Sequence, residues 1–258
     1  IDAGTTGISI FLFNKQASIV YRDYELLEQI YPKNGWVEHN PNEIWNLTYK
    51  LVKKVFLKFS PDEIASIGIA NQRETTLIWD RKTSKPIYNA IVWQCRRTSD
   101  YCNDLKSSNF SNLIEEKTGL IIDSYFSAPK INWLLNNVKG AKQKAINGTL
   151  AFGTIDTWII WKLTNGKTHA TDHTNASRTL LYNINSFNWD QELLEIFNIH
   201  KSLLPSIKKS SSNYGYISKK IFDSRIPING VAGDQQSSLY GQTGFNTGTI
   251  KCTYGTGC

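Results

Sequence analysis

The chain has 258 residues, 40% of them apolar and 20% charged, enough to bury one large core or two ordinary ones. No run of about 18 uncharged apolar residues occurs, so no membrane span is expected, and no secretory signal stands at the start. The net charge of +7 comes from scattered Lys and Arg, with only short clusters such as Lys53-Lys54, Arg96-Arg97, Lys208-Lys209 and Lys219-Lys220, which argues against a nucleic-acid surface.

Residues 8–13 and 17–22 read as two strands of a hairpin across Asn14-Lys15. Asn40-Pro41-Asn42-Glu43 carries the marks of a helix start, and Ile44, Leu47, Leu51, Val55 and Phe59 recur near helical spacing, which predicts an amphipathic helix over 41–59. Ser60-Pro61-Asp62 breaks it. Strands are predicted at 64–70, 77–80 and 87–93. Beyond Arg97 the pattern turns helical, with a helix at 127–137 and a strand at 150–153. The segment I-D-T-W-I-I-W-K-L (155–163) is ambiguous by periodicity; Thr154 before it and Asn165-Gly166 after it favour a helix. A helix at 189–197 and a strand at 227–232 complete the series. Strands alternating with helices predict an α/β or α+β protein with a mixed sheet.

Cys95, Cys102, Cys252 and Cys258 form no CxxC pair and have no His at ligand spacing, which fits reduced cytoplasmic thiols. Asn46, Asn109, Asn147 and Asn175 open glycosylation sequons, but an Asn-, Ser- and Thr-rich chain gives about this number by chance. The chain contains no methionine and opens on I-D-A-G as though in mid-strand, so it is expected to be a piece of a longer protein.

Chemistry concentrates at strand ends. In G-V-A-G-D-Q-Q-S-S (230–238), Asp234 stands where a strand runs into a helix; such a residue is either an N-cap or a base. In N-Q-R-E-T-T (71–76), Arg73 and Glu74 follow a buried strand, where they either satisfy each other or bind the hydroxyls of a polyol. Trp93 is either core or a platform for the C–H face of a sugar-like substrate, and Tyr125 offers a phenol with the same two readings. Asp2-Ala3-Gly4-Thr5-Thr6-Gly7 and Thr253-Tyr254-Gly255-Thr256-Gly257 are small-residue loops that could close around phosphate oxygens. No G-x-x-x-x-G-K-[ST] loop occurs.

Taken in order, D-A-G-T-T, G-W-V-E-H-N-P-N-E-I-W, N-Q-R-E-T, A-I-V-W-Q-C-R-R-T, Y-F-S-A-P-K-I-N-W-L-L-N-N, G-T-I-D-T-W, T-N-A-S-R-T, G-D-Q-Q and T-Y-G-T-G-C resemble the FGGY carbohydrate kinases, especially the branch that phosphorylates glycerol. The resemblance spans essentially the whole chain. It implies a ribonuclease H-like, actin-like ATPase domain with a mixed β-sheet flanked by helices, and a reaction of ATP with glycerol giving ADP and sn-glycerol 3-phosphate with Mg²⁺. It implies that residues 1–242 are the N-terminal domain and 243–258 the opening of a second.

Carried over by position, Arg73, Glu74, Trp93, Tyr125, Asp234 and Gln235 line the glycerol site, with Asp234 as general base. Asp2 lies near the metal and the phosphates, with Asp2 and Asp234 reaching Mg²⁺ through water. Gly4, Thr5 and Thr6 form the first phosphate loop, and Gly255 and Thr256 begin the second. A cytoplasmic homodimer or homotetramer is implied by the same resemblance.

Three features depart from the branch. Ala3 stands where Gln is usual, and Ser9 where an Arg is usual. Arg225 matches a position that bacterial relatives use to bind fructose 1,6-bisphosphate, but the loop S-K-K-I-F-D-S-R lacks their glycines, which speaks against inhibition by that sugar. The alternatives are a pentulose-type FGGY kinase and an actin-like ATPase without kinase activity. The latter has no need of Arg73, Glu74, Trp93 and Tyr125 around Asp234. A ribonuclease H-like nuclease needs several carboxylates converging on two metals, whereas the acids here are interleaved with Arg, Trp and Gln.

Overall fold

The computed structural model describes residues 1–254. β1 (Asp2–Ala3), β2 (Gly7–Phe13) and β3 (Ile19–Leu26) form an antiparallel meander. The hairpin turn is set by Asn14, whose Oδ1 accepts from the N–H groups of Gln16 and Ser18. This turn consumes residues 14–18, so the second strand starts at Ile19 and runs on to Leu26 rather than spanning 17–22.

β4 (Glu38–His39) leads into α1 (Pro41–Phe56), which Asn40 caps by accepting from the Asn42 N–H. The helix ends three residues before the predicted Phe59, because Pro61 forces Ser60 into an extended conformation. β5 (Ile67–Asn71), β6 (Leu77–Asp80) and β7 (Ala90–Ile91) follow. The strand predicted over 87–93 shrinks to two residues: its partners are the equally short β4 and single bridges from Pro86 to Trp79 and from Ile91 to Thr76.

The helical middle consists of α2 (Ser99–Lys106), α3 (Ser111–Thr118), α4 (Ser127–Asn137) and α5 (Ala141–Ile146). Then come β8 (Leu150–Gly153), α6 (Ile155–Leu163), β9 (Ala170–Asp172), α7 (His173–Ala176), β10 (Tyr182–Asn183) and β11 (Asn188–Trp189). The last elements are α8 (Gln191–Ile196), β12 (Ser206–Lys208), α9 (Lys219–Phe222), β13 (Ile228–Gly233) and α10 (Asp234–Gly241). The start of the helix predicted over 189–197 is instead a two-residue strand followed by Asp190 as an N-cap that accepts from Glu192 and Leu193.

The five-stranded sheet has the order β13–β5–β1–β2–β3, mixed as expected, with β13, β5 and β1 parallel. Their register sets Ala3, Asn71 and Gly233 side by side, so three strands end together at one edge. Ligand sites of open α/β sheets form at such an edge.

Two hydrophobic cores flank the antiparallel β6–β8 ribbon. Leu77 and Trp79 of β6 and Ala151 of β8 face the core against the large sheet. Ile78, Leu150 and Phe152 face the other core, among α2–α5 and α8. With both faces buried, these strands read as unbroken apolar runs without polar alternation. Gly153 is required there: an added Cβ would lie 2.6 Å from Thr157 Cβ and 2.9 Å from Trp79 Cη2.

Candidate active site

The loop after β1 turns its backbone carbonyls into the protein. Gly4 O accepts from Gln72 Nε2 at 3.1 Å, Thr5 O from Gln29 Nε2 at 2.8 Å, and Thr6 O from Leu27 N at 3.0 Å. A small-residue loop with its carbonyls so occupied is suited to face an anion with N–H groups and hydroxyls. Gln29 and Gln72 are in turn fixed by buried His39, whose Nε2 meets Gln29 Oε1 at 2.9 Å and whose Nδ1 meets Gln72 Nε2 at 3.3 Å. Burial pushes the imidazole pKa down to about 4, so the ring is neutral at pH 7, with one nitrogen donating and the other accepting.

Beside this loop, the turn after β5 carries Arg73 and Glu74. They do not satisfy each other. Arg73 Nε donates to Asp234 Oδ1 at 3.0 Å, while Glu74 Oε1 accepts from Arg178 Nε at 2.6 Å. Glu74 is only 2% exposed and its φ of 63° is left-handed, a conformation costing about 1–3 kcal/mol for a residue with a side chain. The strained turn is held by its own carbonyl, which accepts from the hydroxyls of Thr76 (2.8 Å) and Ser127 (3.1 Å). Burial raises the Glu74 carboxyl pKa, while the guanidiniums of Arg73 and Arg178 pull it back.

Asp234 is the first residue of α10 and Gly233 is its N-cap, which corrects the capping alternative read from the sequence. Its Oδ1 also accepts from the Gln235 N–H at 2.8 Å, and its side chain remains 38% exposed. The carboxylate is thus held by one guanidinium and one amide yet open to a ligand. Asp2 stands two strands away in the same sheet; burial raises its pKa, and the Asp234 carboxylate adds to the rise.

Trp93 and Tyr125 close the other side. Trp93 Nε1 donates to Thr5 Oγ1 at 2.9 Å, joining the aromatic wall to the loop after β1. The Tyr125 ring packs edge-on to Trp93 with centroids 5.4 Å apart. The Arg178 guanidinium lies 5.7 Å from the Tyr125 ring centre, so one Arg supports both Glu74 and Tyr125. Buried Lys130 donates from Nζ to the carbonyls of Ser124 (2.7 Å), Tyr125 (2.5 Å) and Phe126 (2.9 Å), clasping the loop that carries Tyr125.

Of the expected site residues, Asp2, Gly4, Thr5, Thr6, Arg73, Glu74, Trp93, Tyr125 and Asp234 therefore meet around one sheet edge. Gln235 follows directly, with its Oε1 accepting from Lys251 Nζ (2.9 Å) and Thr253 Oγ1 (2.8 Å). Arg225 lies apart, stacked over Tyr216 at 4.5 Å. Gly255 and Thr256 fall outside the described residues. Arg178, Lys130, His39, Gln29 and Gln72 were not singled out in the sequence. The signal that could have found Arg178 is its place in T-N-A-S-R-T, directly after a buried polar segment.

Among the described residues, no group of three or more His, Cys, Asp or Glu side chains is arranged to hold a metal ion. The two carboxylates, Asp2 and Asp234, supply hard oxygen donors in the number that Mg²⁺ takes when substrate phosphates and water complete its shell, so the residues fit that ion.

Residues 1–241 match the model of the FGGY family of carbohydrate kinases, N-terminal domain. Glycerol kinases of Brevibacillus brevis and Thermoanaerobacter sp. are each 54% identical over the whole chain, which spans 52% of their length. The crystal structure of Plasmodium falciparum glycerol kinase with ADP superposes with a TM-score of 0.94 at 44% identity, covering 99% of this chain and 52% of that one. A ligand-bound xylulose kinase from Lactobacillus acidophilus gives 0.82 at 25% identity, covering 94% and 49%. The sheet, its flanking helices and the actin-like ATPase architecture are shared with these kinases. By its matched domain and by its fold, the chain belongs to the FGGY family of carbohydrate kinases.

Proposed function

We propose that this chain supplies the polyol site and first phosphate loop of an ATP-dependent glycerol kinase. One observation carries the reading: the hydroxyl-binding set Arg73, Glu74, Trp93 and Tyr125 converges on partly exposed Asp234, and Trp93 ties that set to the phosphate loop at Thr5. The glycerol kinases that match the chain end to end support glycerol over a pentulose, and the ADP-bound relative supports a nucleotide as co-substrate.

In this reading Asp234 takes the proton of the attacking primary hydroxyl, late in a loose phosphoryl transfer that depends on alignment more than on basicity. Arg73 holds that carboxylate and donates to a neighbouring hydroxyl. Glu74, whose carboxylate form Arg73 and Arg178 favour against burial, accepts from another, and Tyr125 offers its phenol. A substrate lacking a hydroxyl leaves these groups unpaired, which gives strong discrimination. Trp93 packs against the C–H face of the polyol. Gln235 borders the same site, and Gly4, Thr5 and Thr6 grip phosphate oxygens. Mg²⁺, when held through water by Asp2 and Asp234, neutralises charge on the phosphates.

Residues 1–242 form the first domain and 243–258, with Gly255 and Thr256, open a second that supplies the adenine site; a cytoplasmic homodimer or homotetramer follows from the same family likeness. The test is a coupled assay on the full-length protein with glycerol, xylulose, ribulose and gluconate in parallel. Activity confined to a sugar other than glycerol overturns the reading. Asp234→Asn should lower turnover by at least about a hundredfold with the fold retained; near-normal turnover would remove Asp234 from the role of base.

A further inference from the structure

Directly beneath the strand edge lies a buried polar cluster that the reaction, as described, does not use. Asp172 ends β9 and is fully buried. Its carboxylate accepts from Asn175 N (3.0 Å), Asn175 Nδ2 (2.8 Å), Thr174 N (3.1 Å), Thr174 Oγ1 (2.8 Å) and Ser210 Oγ (2.7 Å). Five donors around one carboxylate leave it little freedom. Thr174 passes this rigidity on: with its proton committed to Asp172, its oxygen accepts from the Gly233 N–H at 2.7 Å. Gly233 is the residue before Asp234. The cluster also reaches the neighbouring strand, since Asn175 and Asn71 exchange side-chain hydrogen bonds at 2.9 and 3.1 Å, and Asn71 pairs in register with Gly233.

We infer that Thr174 is a positioning residue for Asp234: its hydroxyl relays the fixed Asp172 carboxylate onto the backbone N–H of Gly233 and so sets where the carboxylate of Asp234 stands. This rests on the reading of Asp234 as the base. A hydroxyl is needed because the position must donate to one group and accept from another at once, which neither an apolar residue nor a donor-only side chain can do. Loss of the acceptor leaves a buried N–H free to tilt the strand end, and displacements of about 1 Å at a reacting group cost on the order of a hundredfold in rate.

The experiment compares full-length Thr174→Val and Thr174→Ser with the parent, using glycerol, ATP and Mg²⁺. Thr174→Val should lower kcat by at least about tenfold with the KM for ATP unchanged, and Thr174→Ser, which keeps the relay, should stay within about threefold of the parent. The decisive readout is a double-mutant cycle: on an Asp234→Asn background, Thr174→Val should cause no further loss of kcat, because its effect runs through that carboxylate. A folded Thr174→Val with kcat within twofold of the parent, a Thr174→Ser as impaired as Thr174→Val, or losses that multiply in the cycle each overturn the inference. If Thr174→Val is not recovered folded, Ser210→Ala takes its place: removing one donor from Asp172 should lower kcat two- to fivefold, and no change counts against the relay. Should Asp234→Asn itself keep normal turnover, the base assignment fails, and with it the premise, whatever Thr174 does.

Discussion

At the scale of single residues, the site is built from groups that each need a particular neighbour. Gly233 has no side chain because the stem of Arg73 runs where a Cβ would sit: the built position lies 2.4 Å from Arg73 Cδ and 2.6 Å from its Cγ. That close passage lets the Arg73 Nε reach Asp234. Arg178 plays the matching part for Glu74: burial raises the pKa of that carboxyl, and the guanidiniums of Arg73 and Arg178 oppose the rise. Arg178→Gln should therefore raise the KM for glycerol by about tenfold or more while sparing the KM for ATP, the size expected for losing a charge-assisted bond. The sign of its pH dependence is fixed. Without Arg178 the Glu74 carboxyl ionises at higher pH, so the variant's glycerol KM should fall towards the parent's as pH rises. Steady-state kinetics from pH 6 to 9 measure this, and a KM that is unchanged or worsens with pH refutes it.

At the scale of elements, the sequence revealed most where one local signal governs. Helix 127–137 and strand 150–153 lie where the sequence predicts them, and helix 155–163, ambiguous by periodicity, lies where Thr154 and Asn165-Gly166 bound it. Short pieces escaped: β9, α7, β12 and α9 have three or four residues each, too few to show a period. The candidate site residues could be named from motif resemblance, but their ion pairs could not be read from spacing, because Arg73–Asp234 and Arg178–Glu74 join residues 161 and 104 positions apart. The two-residue β4 is similar: nothing local marks His39 as the brace of the loop after β1. Its buried ring gives a pH test. The folded pKa of about 4 lies below the ordinary 6.5, so between these values the unfolded chain binds a proton that the folded one does not. The stability that His39 contributes is present above pH 6.5 and is lost as pH falls towards 4. In denaturant titrations, the stability advantage of the parent over His39→Asn should therefore shrink by up to about 1.4 kcal/mol per pH unit across that window. A difference independent of pH would show that the ring is not held neutral.

At the scale of the whole molecule, the two cores meet at the β6–β8 ribbon, so neither can loosen without the other. Trp79 is the largest group on that ribbon, fully buried, with Trp158 at 5.2 Å, His169 at 5.5 Å and Trp161 at 5.7 Å between ring centres. Its neighbour Ile78 points the other way, into the core that packs α4. Trp79→Ala should cost about 3–5 kcal/mol, a large share of the about 5–15 kcal/mol that holds a typical domain together. Trp79→Phe should cost much less, because the indole Nε1 has no hydrogen-bond partner among the described residues and a phenyl ring keeps most of the aromatic contacts. The coupling is tested by hydrogen exchange on the Ala variant. Amides of β2 in the sheet and of α4 in the second core should both exchange faster by similar factors, since the ribbon they share has lost its filling. Acceleration confined to the sheet, with α4 unchanged, would show two independently stable halves; the aromatic wall at Tyr125 would then be free to move relative to the loop after β1.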